Sequence, residues 1–367
     1  VRVALVHDWL VAQRGGENVL REIVGLFPGA PIFTLVHEKG SVDPEIEQHP
    51  IIPSFIQSLP GAPSSFRKYL PLFPLAIESF DFAGFDLLVS TSHCVAKAAR
   101  TGPGQRHIAY IHTPMRYIWD QLPEYVPRVP GRRAWVALAE LGVGPLRYWD
   151  RRTAGRPTEL LANSQHVADR VRRLWGRHAE VLFPPVAVDF YSAAIPRERR
   201  GLLVVSALVP YKRVDVAVAC CSRAGWDLTV AGEGSDRRRL MAMAGPNVHF
   251  VGPLASEGLR EAYSRAEALL FCGVEDFGIV PVEAMAAGCP VVALGRGGAL
   301  ETVVDGVTGV FFDRSSPSDL TAAVLRLRSL CDRGLISTDN LLARAREFDR
   351  CRFVDGFSRI VAKVRNE

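Results

Sequence analysis

Short apolar runs with no polar alternation recur along the whole chain, each followed by a stretch of helical spacing. In the first half they are Val3 to Val6, Ile32 to Val36, Leu87 to Ser90, His107 to Ile111 and Glu159 to Ala162. In the second half they are Leu202 to Val205, Asp227 to Ala231, Val248 to Val251, Ala268 to Phe271 and Pro290 to Leu294. A strand with one face in water alternates polar and apolar residues. A run without alternation suits a parallel strand covered on both faces. Repeated strand–helix–strand units imply doubly wound sheets with right-handed crossovers. The expected fold class is therefore α/β, with two Rossmann-like domains.

Length agrees with two domains: 367 residues are long for one core and comfortable for two. The boundary is expected near Pro184-Pro185, where two prolines end a strand and lead into the charged stretch Arg197 to Arg200. This gives an N-terminal domain over 1–185 and a C-terminal domain over 186–345. A last helical segment, 346–367, carries Phe348, Phe353, Phe357, Ile360 and Val361 and is expected to pack at the domain junction. The proline-rich region Phe55 to Phe80 resists assignment. It is read as a proline-shaped part of the core, with an acceptor-side or membrane-facing surface as the alternative.

Composition excludes several classes. Hydrophobic residues at 48% and charged residues at 23% rule out disorder as the default. A net charge of +5 is too small to argue for nucleic acid as a partner. The charge is uneven: residues 128–177 hold eleven arginines against four acids. Such a surface suits phosphates or an anionic membrane, or is simply solvated. Seven cysteines without a C-x-x-C pair argue against a disulfide framework or a zinc site and fit a reducing cytoplasm. Cys272 and Cys289 lie in apolar runs and read as core filler. No run of eighteen apolar residues occurs, and the chain as given opens on a strand-like run without signal-peptide anatomy. There is no P-loop, no Gly-x-Ser-x-Gly elbow and no Asp-x-Asp triplet. Gly232-Glu233-Gly234 lacks the third glycine of a dinucleotide fingerprint.

The chemistry concentrates in Glu275-Asp276-Phe277-Gly278-Ile279-Val280-Pro281-Val282-Glu283-Ala284-Met285-Ala286-Ala287-Gly288. The run after Gly278 predicts a helix that stops at Gly288, with Pro290 just beyond. Its free N–H groups would favour an anion such as a diphosphate. Glu275 falls in the loop before the helix. Glu283 falls about one turn inside, where a carboxylate can accept two hydroxyl hydrogen bonds, as a ribose diol requires.

This segment resembles the E-x7-E motif of family 4 glycosyltransferases, the large retaining group with the GT-B fold. The resemblance extends through Gly297-Gly298-Ala299-Leu300-Glu301 and Asp305-Gly306-Val307-Thr308-Gly309. Leu208-Val209-Pro210-Tyr211-Lys212-Arg213-Val214-Asp215 resembles the family's turn after the first strand of the C-terminal domain, which supplies a lysine to the donor diphosphate. A departing nucleoside diphosphate gains negative charge, which Lys212 would stabilise. Many members carry an arginine a few residues earlier. Here that place reads Ser206-Ala207-Leu208, and Arg213 is the substitute cation. Arg14-Gly15-Gly16-Glu17 resembles the family's Gly-Gly turn, whose amide approaches the donor phosphate and sugar. The block His112-Thr113-Pro114-Met115-Arg116-Tyr117 resembles that of bacterial mannosyltransferases of surface-polysaccharide assembly, where the histidine lies beside the reacting sugar.

The resemblance implies a GT-B protein with an interdomain cleft that transfers a hexose with retention, mannose from GDP-mannose being the first donor expected and a UDP-sugar the second. The implied catalytic residues are His112, Glu275 and Lys212. The implied donor-binding residues are Gly15, Gly16, Arg213, Phe277, Gly278, Ile279, Val280 and Glu283. No metal and no cofactor beyond the nucleotide-sugar are implied. The acceptor would be a saccharide or a polyprenyl-linked sugar, with Arg116 and Trp119 shaping its side. The expected place is the cytoplasm, with a peripheral position on the inner face of the plasma membrane as the alternative. The alternatives are a GT-B nucleotide-sugar epimerase and a non-catalytic nucleotide-sugar-binding module, and intact Glu275 and His112 argue against the second.

Overall fold

The computed structural model describes residues 1–120, 122, 140, 142–193 and 198–366. Thirteen parallel strands among them fall into two sheets, and the chain divides into two compact units. Unit 1 is Val1–Phe183 with Val354–Glu367, and unit 2 is Pro184–Phe353. Arg128, Arg132, Arg133 and Arg197 lie outside the described residues.

Unit 1 holds strands β1 (Val3–His7), β2 (Ile32–Thr34), β3 (Ile51–Pro53), β4 (Leu87–Ser92), β5 (Arg106–Ile111), β6 (Glu159–Ala162) and β7 (Glu180–Val181). They pair in the order β3-β2-β1-β4-β5-β6-β7, all parallel. The strand order reverses between β1 and β4, where Val3 to His7 run in register with Leu87 to Thr91. The helices are α1 (Gly15–Leu26), α2 (Gly144–Thr153) and α3 (Gln165–Trp175). The apolar runs are strands for the expected reason: Ala4, Leu5, Val6, Leu87, Leu88, Val89 and Ile108 to Ile111 are all buried.

The region Phe55 to Phe80 divides between core and surface. Ile56, Phe66, Phe73, Ala76 and Ile77 join the core, while Phe55, Leu72 and Leu75 are exposed. Its prolines shape two 3-10 turns, Phe55–Ser58 and Phe66–Leu72, and the short helix Phe73–Glu78.

Unit 2 holds helix α4 (Val188–Ser192), strand β8 (Leu202–Val205), helix α5 (Val214–Ala224), strands β9 (Leu228–Ala231) and β10 (Val248–Gly252), and helix α6 (Ser256–Arg265). Strand β11 (Ala268–Phe271), helix α7 (Ile279–Ala286), strands β12 (Val291–Leu294) and β13 (Gly309–Phe312), and helices α8 (Pro317–Asp332) and α9 (Thr338–Arg346) follow. The sheet order is β10-β9-β8-β11-β12-β13, again parallel throughout, and it reverses between β8 and β11. Cys272 and Cys289 are buried, as core filler should be. The C-terminal segment forms two helices, α9 and α10 (Arg350–Asn366), separated by a short turn at Phe348. The end of α10 is tied to unit 1 by Lys363 Nζ, 3.2 Å from Glu159 Oε1. No described helix is long and apolar enough to cross a membrane.

Candidate active site

Open α/β sheets offer ligands the space outside the carboxyl ends of their strands, where the strand order reverses. Each unit has one such point.

In unit 1 the point lies between β1 and β4. The Gly15–Gly16 turn opens α1 just beyond β1, and His112 follows β5. The His112 backbone is fixed twice: its N–H donates to Ser92 O at 2.8 Å, and its carbonyl accepts from Asn163 Nδ2 at 3.1 Å. Its ring Nε2 is buried without a hydrogen-bond partner. A Cβ placed on Gly16 would stand 3.5 Å from that nitrogen, so the turn and the imidazole are neighbours. Burial pushes the His112 imidazole down to about 3, and His93 and His7 push the same way. At neutral pH it is an uncharged hydrogen-bonding group and not an acid.

The polar side chains around it are satisfied by the protein, and the sequence reading passed over them. The buried Asp8 carboxylate accepts the backbone N–H groups of His93, Cys94, Val95 and Ala96 at 2.6 to 2.8 Å and lies 3.3 Å from His93 Nδ1. His7 Nδ1 is 2.6 Å from Thr91 Oγ1, and Glu17 accepts from the Arg14 N–H at 2.9 Å. Burial works to raise the Glu17 carboxyl, but His7 and His93 hold it below its ordinary value. An aspartate one residue past the first strand carries no motif by itself. Its role emerges only when β4 is laid beside β1.

In unit 2 the point lies between β8 and β11. Lys212 ends the 3-10 turn Pro210–Lys212 after β8, and Glu275 follows β11. The two side chains form an ion pair, each slightly under one-fifth exposed. They line a small cavity of about 10 Å³ with Ser206, Cys272 and Gly273. The lysine turn and the loop ahead of α7 therefore share one cavity.

Gly278 caps α7 with φ +86°, a conformation that L-residues rarely adopt. A Cβ there would also meet the Phe271 ring at 3.2 Å. Gly298 lies so close to the loop that a Cβ would fall 2.3 Å from Phe277 O. The Gly298 N–H donates to Glu275 O at 2.9 Å. This fixes the loop that carries Glu275. The first amides of a helix have no carbonyl one turn earlier, so those of Gly278, Ile279 and Val280 remain as donors, while Pro281 has none.

Two predicted donor residues take up other contacts. Phe277 is buried against Phe348, with ring centroids 5.5 Å apart, so only its backbone faces the turn. Arg213 has φ +53° and reaches Asp215 Oδ1 at 3.1 Å and Ser315 O at 3.4 Å. Glu283 is half-buried on α7, and its Oε2 accepts from the Tyr263 hydroxyl at 2.9 Å. Burial pushes its carboxyl up to about 7, and the hydroxyls of Tyr263 and Tyr191 pull the other way.

The 128–177 arginines are largely engaged within the protein. Arg147 pairs with Glu140, Arg156 with Glu78, Arg172 with Asp169 and Arg170 with Asp120. Arg151 and Arg177 donate to the carbonyls of Leu174 and Ala154.

Two parallel, doubly wound sheets of this kind form the GT-B fold class of two Rossmann-like domains. Residues 188–332 match the family model described as Glycosyl transferases group 1. It is 33% identical to a glycogen synthase of Mycobacterium tuberculosis over 190 residues, covering 47% of this chain and 45% of that one. It is 32% identical to a GDP-mannose-dependent alpha-mannosyltransferase of Mycolicibacterium smegmatis over 200 residues, covering 53% of each. The chain thus spans about half the length of the curated relatives it matches. Among solved structures, Anabaena HepE in complex with UDP aligns over 99% of this chain and 100% of its own, with a TM-score of 0.71 at 18% identity. That likeness shows the fold.

Proposed function

We propose that the protein is a glycosyltransferase that moves a hexose from a nucleoside diphosphate donor to a hydroxyl acceptor, with retention at the anomeric carbon. The observation that carries this reading is the meeting of Lys212 and Glu275 at the switch point of unit 2, beside the mouth of α7. As the glycosidic bond of the donor breaks, charge builds on the leaving diphosphate. Lys212 and the amides of Gly278, Ile279 and Val280 would stabilise it there. Glu275 would then exchange its lysine for hydroxyls of the donor sugar. Glu283 would take the ribose diol. In unit 1 the Gly15–Gly16 turn would meet the donor phosphate and sugar, and neutral His112 would hydrogen-bond the sugar. A departure and attack on one face of the sugar requires no covalent nucleophile.

GDP-mannose is the first donor, supported by the name of the mycolicibacterial relative, and a UDP-sugar the second, supported by the UDP bound to HepE. The acceptor is a saccharide or a polyprenyl-linked sugar, handled peripherally at the cytoplasmic face of a membrane. A thermal-shift screen of GDP, UDP, ADP and their sugars tests the donor: the true one raises the melting temperature. Product analysis with and without added acceptor tests the reaction. Transfer that depends on acceptor supports the reading. Free sugar or an isomerised donor in its absence sinks it.

A further inference from the structure

Tyr263 and Tyr191 have no part in the reaction just described, yet the Tyr263 hydroxyl is bonded to Glu283 and the Tyr191 ring packs on that of Tyr263. Tyr263 stands on α6 and is fully buried, and its hydroxyl donates to Glu283 Oε2 at 2.9 Å. Tyr191 stands on α4, is also buried, and its phenol is held up in pKa by burial and by the same carboxylate. The two rings meet edge to face with centroids 5.8 Å apart. Glu283, projecting from α7, is partly exposed. The carboxylate thus has one phenol bonded to it and a second packed behind that one.

An ionised carboxylate offers about four lone-pair sites. The Tyr263 donor leaves the others for a ligand. It also fixes a side chain that would otherwise lose rotamer entropy when a ligand ordered it. A vicinal diol needs two acceptors at a set spacing, so a fixed carboxylate recognises it better than a mobile one.

We propose that Tyr263 and Tyr191 are positioning residues that hold the Glu283 carboxylate ready for the vicinal hydroxyls of a nucleotide ribose. This rests on the reading of Glu283 as the ribose partner. The phenols touch the glutamate, and the glutamate touches the ligand.

The test is isothermal titration of the whole protein with GDP or UDP, whichever binds tighter, and with its 2′,3′-dideoxy analogue. The unmodified protein should bind the ribose form roughly tenfold tighter. Tyr263→Phe should lose most of that ratio while its affinity for the dideoxy analogue stays unchanged. Tyr191→Phe, which keeps the packing, should show a smaller loss of the same kind and serves if Tyr263→Phe does not fold. Equal weakening of both ligands would make the phenols merely structural and overturn the proposal. So would a full ratio retained in both tyrosine variants while Glu283→Gln loses it; in that case the ribose reading of Glu283 survives alone. Equal binding of the two ligands by the unmodified protein overturns both.

Discussion

Each unit places the lysine of a lysine–carboxylate pair after one of the two strands that flank its switch point, β4 in unit 1 and β8 in unit 2, and the two pairs are built for opposite ends. Lys97 lies in the 3-10 turn Ala96–Ala98 after β4, and Lys212 in the 3-10 turn Pro210–Lys212 after β8. Lys97 Nζ is 3.0 Å from Asp150 Oδ1, and both side chains are almost wholly buried. Its ammonium also reaches Asp150 O at 2.9 Å and Thr153 Oγ1 at 3.0 Å, and lies 4.7 Å from the Trp175 ring centroid. Asp150 Oδ2 accepts from the indoles of Trp119 and Trp175 at 2.8 and 2.7 Å. Lys212 and Glu275 are part-exposed and keep access to water. A wholly buried pair specifies how α2 and α3 pack on the sheet. A part-exposed pair can trade its partner for a ligand. The charge is the same; burial decides its use.

The largest expected effect comes from breaking the buried pair. Lys97→Met leaves the Asp150 charge in an apolar site and should cost about 3–5 kcal/mol. The melting temperature should fall by about 6–20 °C in calorimetry. Turnover per folded molecule should stay near normal at low temperature. A small shift in melting temperature would erase the contrast between the two pairs. Lys212→Ala should do the reverse. Turnover should drop roughly 10²–10³-fold, while stability changes by no more than about 1 kcal/mol.

Glu283 sharpens the contrast through pH. Its carboxyl is raised from an ordinary value of 4.5 to about 7, chiefly by burial, and the groups facing it are the Tyr263 and Tyr191 hydroxyls. The folded state therefore holds this proton more tightly than the unfolded state. Its contribution to stability is full below pH 4.5 and is lost as pH rises through about 7. Nucleotide binding has the opposite sign, since hydroxyl donors need the ionised form. Affinity should rise several-fold from pH 6 to pH 8 in titration calorimetry, and Glu283→Gln should flatten both trends. The smallest effect belongs to Arg213→Ala. Its guanidinium is committed to Asp215 and Ser315 O, so turnover should change by no more than about threefold. A loss as large as that of Lys212→Ala would move Arg213 into the diphosphate site.

The strands of both sheets were legible wherever an apolar run stood alone. Three were not. β7 is two residues long, β3 is an edge strand with exposed Pro53, and β13 hides in the motif that ends at Gly309. Lys212, Glu275 and Gly278 were singled out because each lies in a contiguous run that resembles a family motif. Asp8, Tyr191 and Tyr263 were not. Their partners lie 85 or more residues away for Asp8 and 20 residues away for Tyr263, on other elements. The arginine excess of 128–177 was visible, but not that most of its described members from Arg147 on meet acids or carbonyls of the same unit.

The central claim is that Lys212 and the opening turn of α7 hold a diphosphate. Titration of GDP and UDP against unmodified protein and Lys212→Ala, at 50 and 300 mM salt, tests it most directly. The account predicts that the variant binds at least about tenfold more weakly and that most of the salt dependence disappears with the ammonium. Equal affinity in the two proteins, with the same salt dependence, would contradict it.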